Sequence, residues 1–96
     1  MKFVQIIEFN TKKIEEIQKL DQEYAAAVGD RATNTRALVC KDRDHDDRYF
    51  VIVEFPSWDA AQKNNDLPET QEFAEKQMKF ADGPPSFYNL DVLEEQ

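Results

Sequence analysis

Seven consecutive residues, Tyr49-Phe50-Val51-Ile52-Val53-Glu54-Phe55, constrain this chain more than any other stretch. Side chains on a strand alternate between faces, so Tyr49, Val51, Val53 and Phe55 share one side and Phe50, Ile52 and Glu54 the other. Both sides are largely apolar, and such a strand must be covered twice. In a chain of 96 residues the helices can cover one face of a small sheet. The second face calls for another layer, most simply a second copy of the chain, so the expected assembly is a homodimer. A single chain of this size buries only about two-thirds of its unfolded surface, which leaves little room for a deep interior site unless two subunits pool their cores.

The rest of the chain supplies the elements around that strand. Lys2 to Phe9 reads as a first strand, again apolar on both sides and hence central in the sheet. Asn10 or Thr11 can cap the helix that follows, in which Ile14, Ile17, Leu20, Tyr24 and Val28 form one stripe and Gly29 supplies the stop. Arg31 to Lys41 alternates polar and apolar groups on both faces, which suits an edge strand or one whose polar side chains line a cavity. Arg43-Asp44-His45-Asp46-Asp47 then makes a solvated turn without glycine, so an Asp is expected to take any residue at positive φ. Ser57 after Pro56 is an N-cap, Asn64-Asn65-Asp66 breaks that helix, and Pro68 opens a second segment running to Ala81. Phe87 to Leu93 reads as the last strand. The order is β-α-β-β-α-β with the second helix in two pieces. That is an α+β, ferredoxin-like single domain over residues 1–96, with an antiparallel sheet and both helices on one face if the crossovers are right-handed.

Charge and cysteine content exclude several partners. Twenty Asp plus Glu against twelve Lys plus Arg leave a net charge of -8, with no basic stripe to track phosphates, so nucleic acid is not expected. The same charge disfavours anionic lipid, and no apolar run approaches the ~20 residues that span a bilayer. A lone Cys40 has no internal partner, and Gln5 and Glu8 interrupt the N-terminal apolar stretch; a cytoplasmic protein is expected.

The run Val53-Glu54-Phe55-Pro56-Ser57-Trp58-Asp59-Ala60-Ala61, followed by Asn65-Asp66-Leu67-Pro68-Glu69-Thr70-Gln71-Glu72-Phe73, resembles the antibiotic biosynthesis monooxygenase-like family. Asp82 to Val92 is similar to small uncharacterised actinobacterial proteins of that group. The resemblance covers nearly the whole chain in element order, and its motifs are structural: strand, capped short helix, turn with proline, second helix. It implies a dimeric α+β barrel in which two sheets pack face to face. It also implies one of the family's activities: oxygenation of polycyclic aromatic substrates without metal or flavin, or haem degradation. The haem-degrading members rely on an Asn, a Trp and a His. Here Ile7 stands where that Asn is expected, Trp58 lies at the start of the helix rather than in its second turn, and no His lies in the second helix. The resemblance therefore implies neither haem nor any other cofactor.

Candidate site residues follow from chemistry and position. Arg36, with Asn34, can orient an anionic or carbonyl oxygen if their strand face lines a pocket; otherwise Arg36 pairs with an acidic neighbour at the sheet edge. Trp58, Tyr24, Tyr49, Phe73 and Tyr88 can wall an apolar pocket at the helix-sheet junction, or simply pack as core. Asn64, Asn65 and Thr70 flank the helix break. The expected catalytic residues are Arg36, Trp58 and Tyr88, and the expected ligand contacts Asn34, Asn65, Thr70, Tyr49 and Phe73. Asp42, Asp44, Asp46 and Asp47 around His45 fail as a calcium loop, because Asp47 replaces the required glycine and Val53 the bidentate Glu, so no metal site is expected. Two glycines cannot build a phosphate loop. The expected function is that of a cofactor-independent monooxygenase-like protein binding a small aromatic or other organic metabolite; the alternative is a non-enzymatic ligand-sensing or interaction dimer.

Overall fold

In a computed structural model describing residues 1–96, the doubly apolar strand is β3 (Arg48–Phe55), an interior strand of a four-stranded antiparallel sheet. Its neighbours are β1 (Phe3–Asn10), also interior, and β2 (Arg36–Lys41) at one edge; β4 (Ser86–Asp91) forms the other edge, giving the order β2-β3-β1-β4. Helix α1 (Ile14–Val28) connects β1 to β2, and α2 (Trp58–Asn65) with α3 (Pro68–Met78) connects β3 to β4. This is the ferredoxin-like βαββαβ order expected from the sequence.

Register decides which side chains meet. Phe3 lies opposite Phe55 and Phe9 opposite Tyr49, so Phe3, Gln5, Ile7 and Phe9 share the helix-covered face with Tyr49, Val51, Val53 and Phe55. On the reverse face Leu38, Ile52, Ile6 and Tyr88 stand side by side across all four strands. No element of the chain covers this face, and Leu38, Tyr88 and Leu90 are 39%, 45% and 46% exposed.

Local signals largely set the helix ends. Ser57 Oγ accepts from the Ala60 N–H at 3.1 Å and caps α2, while Pro68 opens α3, where its missing N–H leaves nothing unsatisfied. Gly29 ends α1 at φ 52°, a conformation costly for any residue with a Cβ. Thr11 does not cap α1 directly. It is buried, accepts from the Lys13 N–H at 2.9 Å and donates to the Phe80 carbonyl, tying the β1–α1 connection to the chain after α3. Helix α3 stops at Met78, short of Ala81.

Two expectations are corrected. The weakest strand begins at Arg36 rather than Arg31, because Gly29–Arg31 coils into a short helical turn and residues 32–34 make no backbone bond to β3; the first such bond is from the Thr35 N–H to the Glu54 carbonyl at 2.8 Å. The β2–β3 turn needs no left-handed Asp: no residue other than glycine has positive φ. The turn is long enough to close with Asp42 Oδ1 accepting from the Asp44 N–H at 2.9 Å and the Asp42 N–H donating to the Arg48 carbonyl at 3.0 Å.

Candidate functional site between helices and sheet

Large side chains close the helix-sheet junction only at its ends. At one end Phe3, Phe55 and Ala61 pack with Val53 and Ala60; at the other Phe9, Ile17 and Tyr49 pack with Ile14, Val51 and Phe80. Between them the covered face of the central strands carries the shorter side chains Gln5, Ile7, Val51 and Val53, which leave space beneath the helices. The result is a cavity of about 550 Å³ whose further walls include Val28 of α1, Ala37 of β2 and Phe73 of α3. A second space of about 450 Å³ lies between α3 and β4 and shares Gln5, Ile7, Asn65, Thr70 and Phe73 with the first. These dimensions suit a small organic ligand.

One wall of the cavity is polar. The Tyr24 hydroxyl and Thr70 Oγ1 are 2.7 Å apart, and Asn64 Nδ2 donates to the same Tyr24 oxygen at 3.3 Å. Asn64 is buried and accepts from the Thr33 N–H through its Oδ1 at 3.3 Å, while Thr33 Oγ1 donates to the Ala60 carbonyl at 2.6 Å. The two hydroxyls own two protons and share one hydrogen bond. Asn64 acts on Tyr24 as a donor, so one O–H of the pair remains free for a ligand acceptor. Phe73 packs against the Tyr24 ring at 5.2 Å between centroids and holds the phenol in place.

The cavity also holds a carboxylate. Asp21 of α1 is half-buried in the lining, and burial, with no compensating partner, pushes its carboxyl above the ordinary value of 3.8. Sequence reasoning passed over Asp21, although Ile17, Asp21, Tyr24 and Val28 recur at helical spacing. An acid inside an otherwise apolar stripe was the available signal.

The expected site residues divide between this cavity and other places. Asn34, Asn65, Thr70 and Phe73 line it. Arg36 does not: it lies opposite Glu54 on the reverse face, while the next residue, Ala37, lines the cavity. Asn34 and Arg36 do not share a face because Asn34 precedes the strand, where alternation does not apply. Tyr88 is likewise on the reverse face, donating to Glu8 Oε1 at 3.1 Å, and that bond to an anion pushes its phenol above the usual range. Glu8 and Asp42 flank Arg48 at 3.8 Å each, so Tyr88 belongs to a polar group at one end of that face. Trp58 stands edge-on to Phe3 at 4.9 Å, at the entrance of α2, outside both spaces. Tyr49 is core, stacked on Phe9 at 5.9 Å. No group of three or more metal-binding side chains occurs, and no helix is long and apolar enough to cross a membrane.

No protein-family model matches the sequence, and no curated protein matches it. Solved structures share its fold. A candidate antibiotic biosynthesis monooxygenase from Caulobacter crescentus superposes with a TM-score of 0.85 at 17% identity, covering 97% of this chain and 91% of that one. SnoaB, a cofactor-independent oxygenase from Streptomyces nogalater, superposes with a TM-score of 0.82 at 15% identity over 98% of this chain and 95% of its own. Rv0793 from Mycobacterium tuberculosis gives 0.82 at 11% identity, covering 99% of this chain and 98% of that one. The chain thus has the fold of antibiotic biosynthesis monooxygenase structures, at identities that speak for the fold alone.

Proposed function

We propose that this protein binds a small, mostly apolar organic molecule between its helices and its sheet and oxygenates it without a cofactor. The observation that carries the reading is the cavity itself: floored by Ile7, Val51 and Val53 with Gln5 among them, bounded by the rings of Phe55 and Phe73, and furnished along one wall with amide and hydroxyl groups. In the chemistry proposed, an acidic C–H of the ligand loses its proton, the carbanion passes electrons to dioxygen, and a CH₂ group becomes a carbonyl with release of one water. Neutral donors, the free hydroxyl of the Tyr24–Thr70 pair and the Asn65 and Asn34 amides, would hold the ligand oxygen. The fold shared with SnoaB supports this class of reaction. Relationship to an actinobacterial branch rests only on the segment from Asp82 to Val92, and a cytoplasmic location on Cys40 as a lone thiol.

A homodimer joined through the reverse face belongs to the same proposal. Its support is the apolar band Leu38, Ile52, Ile6 and Tyr88, which a single chain leaves to solvent. Arg36 and Tyr88, placed on that face, are then interface residues and not catalytic ones.

One observation favours a second reading. No Lys, Arg or His lines either space, so a carbanion would find no cation beside it. A ligand-sensing dimer needs none. Oxygen consumption decides between the two: purified protein is given oxidisable phenolic and keto-aromatic compounds, with binding followed by calorimetry and dioxygen by electrode. Uptake of dioxygen that is lost when the cavity is filled by Ile7→Phe supports the oxygenase. Binding without uptake supports the sensor, and absence of both removes the cavity as a functional site.

A further inference from the structure

The charge of the cavity is one-sided. Its lining contains two carboxylates, Asp21 and Asp30, and no basic side chain. Asp30 lies in the short turn after α1 and is exposed, whereas Asp21 shares with Tyr24, Ala25 and Val28 the face of α1 that looks into the cavity. No hydrogen bond or charge within the chain offsets the burial of Asp21. Burying an unpaired carboxylate works against folding, and such a group in a cleft marks a place where a ligand supplies the missing partner. One helical turn further on, the Tyr24–Thr70 pair presents its spare O–H. Acceptor and donor therefore stand on neighbouring turns of a single wall.

We propose that Asp21 is the ligand-donor receptor of the cavity, so that the site takes a neutral molecule bearing a phenol-type O–H or amide-type N–H directed at Asp21 and excludes carboxylates and other anions. The proposal rests on the cavity reading above and specifies its ligand class. An entering anion meets two carboxylates and no counter-charge. A neutral donor instead satisfies Asp21, and its ring fills the apolar remainder near Ile7 and Phe73.

Calorimetric titration with three matched probes at neutral pH tests this: naphthol, its methyl ether, which cannot donate, and naphthoate. The variants are Asp21→Asn and, as a control for net charge, Glu15→Gln in the exposed first turn of α1. Wild-type protein is expected to bind naphthol about tenfold more tightly than the ether and to bind naphthoate most weakly. Asp21→Asn is expected to raise naphthoate affinity by about tenfold and lower that of naphthol severalfold, while Glu15→Gln changes neither. Equal binding of all three probes by wild-type protein, or an unchanged naphthol-to-naphthoate ratio in Asp21→Asn, overturns the proposal and leaves the cavity reading standing. Failure of all three probes to bind overturns both.

Discussion

The Tyr24 hydroxyl lies 2.7 Å from Thr70 Oγ1 on α3 and accepts from Asn64 of α2 at 3.3 Å, so the three helices meet at one phenol oxygen. Asn64 extends the junction to Thr33, just ahead of β2. This junction ties the three helices of the roof to one another, while the apolar clusters at the two ends, which pack Ala61 and Ile17 of the helices on Phe3, Phe55, Phe9 and Tyr49 of the sheet, hold the roof to the floor.

Removing the junction is expected to cost stability in a graded way. Tyr24→Phe keeps the ring against Phe73 and loses only the hydroxyl, which should lower unfolding free energy by about 1 kcal/mol. Asn64→Ala also strands the Thr33 N–H, and a loss of roughly 1–3 kcal/mol is expected. Urea melts of the single and double variants should give less than the sum, since both changes remove the same Asn64–Tyr24 bond.

Filling the cavity should separate binding from folding. Ile7→Phe places a ring on the open floor, and ligand affinity is expected to fall by at least about tenfold while the melting temperature holds or rises. Phe9→Ala empties a closed cluster instead, with an expected loss of about 3–5 kcal/mol. Equal destabilisation by both would mean that the space is packed in solution.

Acid titration should reveal groups pulling in opposite directions. Asp21 has a folded pKa above its ordinary 3.8, so its ionised form penalises folding; the penalty is present in full above the folded value and relieved as pH falls through it. Asp21→Asn should therefore be the more stable protein at neutral pH, with the gap closing in acid. Glu69 behaves in reverse: the Arg31 guanidinium holds its carboxyl below 4.5, and that stabilisation exists above the ordinary value and is lost as pH falls through the lowered one. Asp42 does the same through the Asp44 N–H and then His45 and Arg48. Urea midpoints of wild type, Asp21→Asn and Glu69→Gln, measured at neutral pH and near pH ~4, check both signs.

The reverse face is tested by charge. Ile52 pairs directly with Ile6 and Leu38 at the centre of the band, and Ile52→Lys should give a folded monomer by sedimentation where the parent sediments as a dimer. A parent that sediments as a monomer at micromolar concentration would remove the dimer from the proposal.

Much of this architecture is legible in the sequence. Alternation in Tyr49–Phe55 identified two apolar faces, Ser57 and Pro68 marked the helix starts, and Gly29 marked a helix end, because each signal acts over a few residues of backbone. The hollow is legible there too. Phe3-x-Gln5-x-Ile7-x-Phe9 beside Tyr49-x-Val51-x-Val53-x-Phe55 sets rings at the strand ends and shorter chains between them.

Tertiary structure alone decided which face each residue of the site occupies. Arg36 and Asn34 are two positions apart, which in an unbroken strand puts them on one face, but the paired strand begins at Arg36, and alternation holds only where hydrogen-bonded pairing fixes the backbone. Tyr24, Asn64 and Thr70 are separated by 40 and 46 residues in the chain, and only the packing of three helices brings them to one point. The sequence by itself determined the elements and their apolar faces, since those depend on local periodicity and size. The fold decided which polar groups share a cavity, since that depends on register and on how closely separate helices approach the sheet.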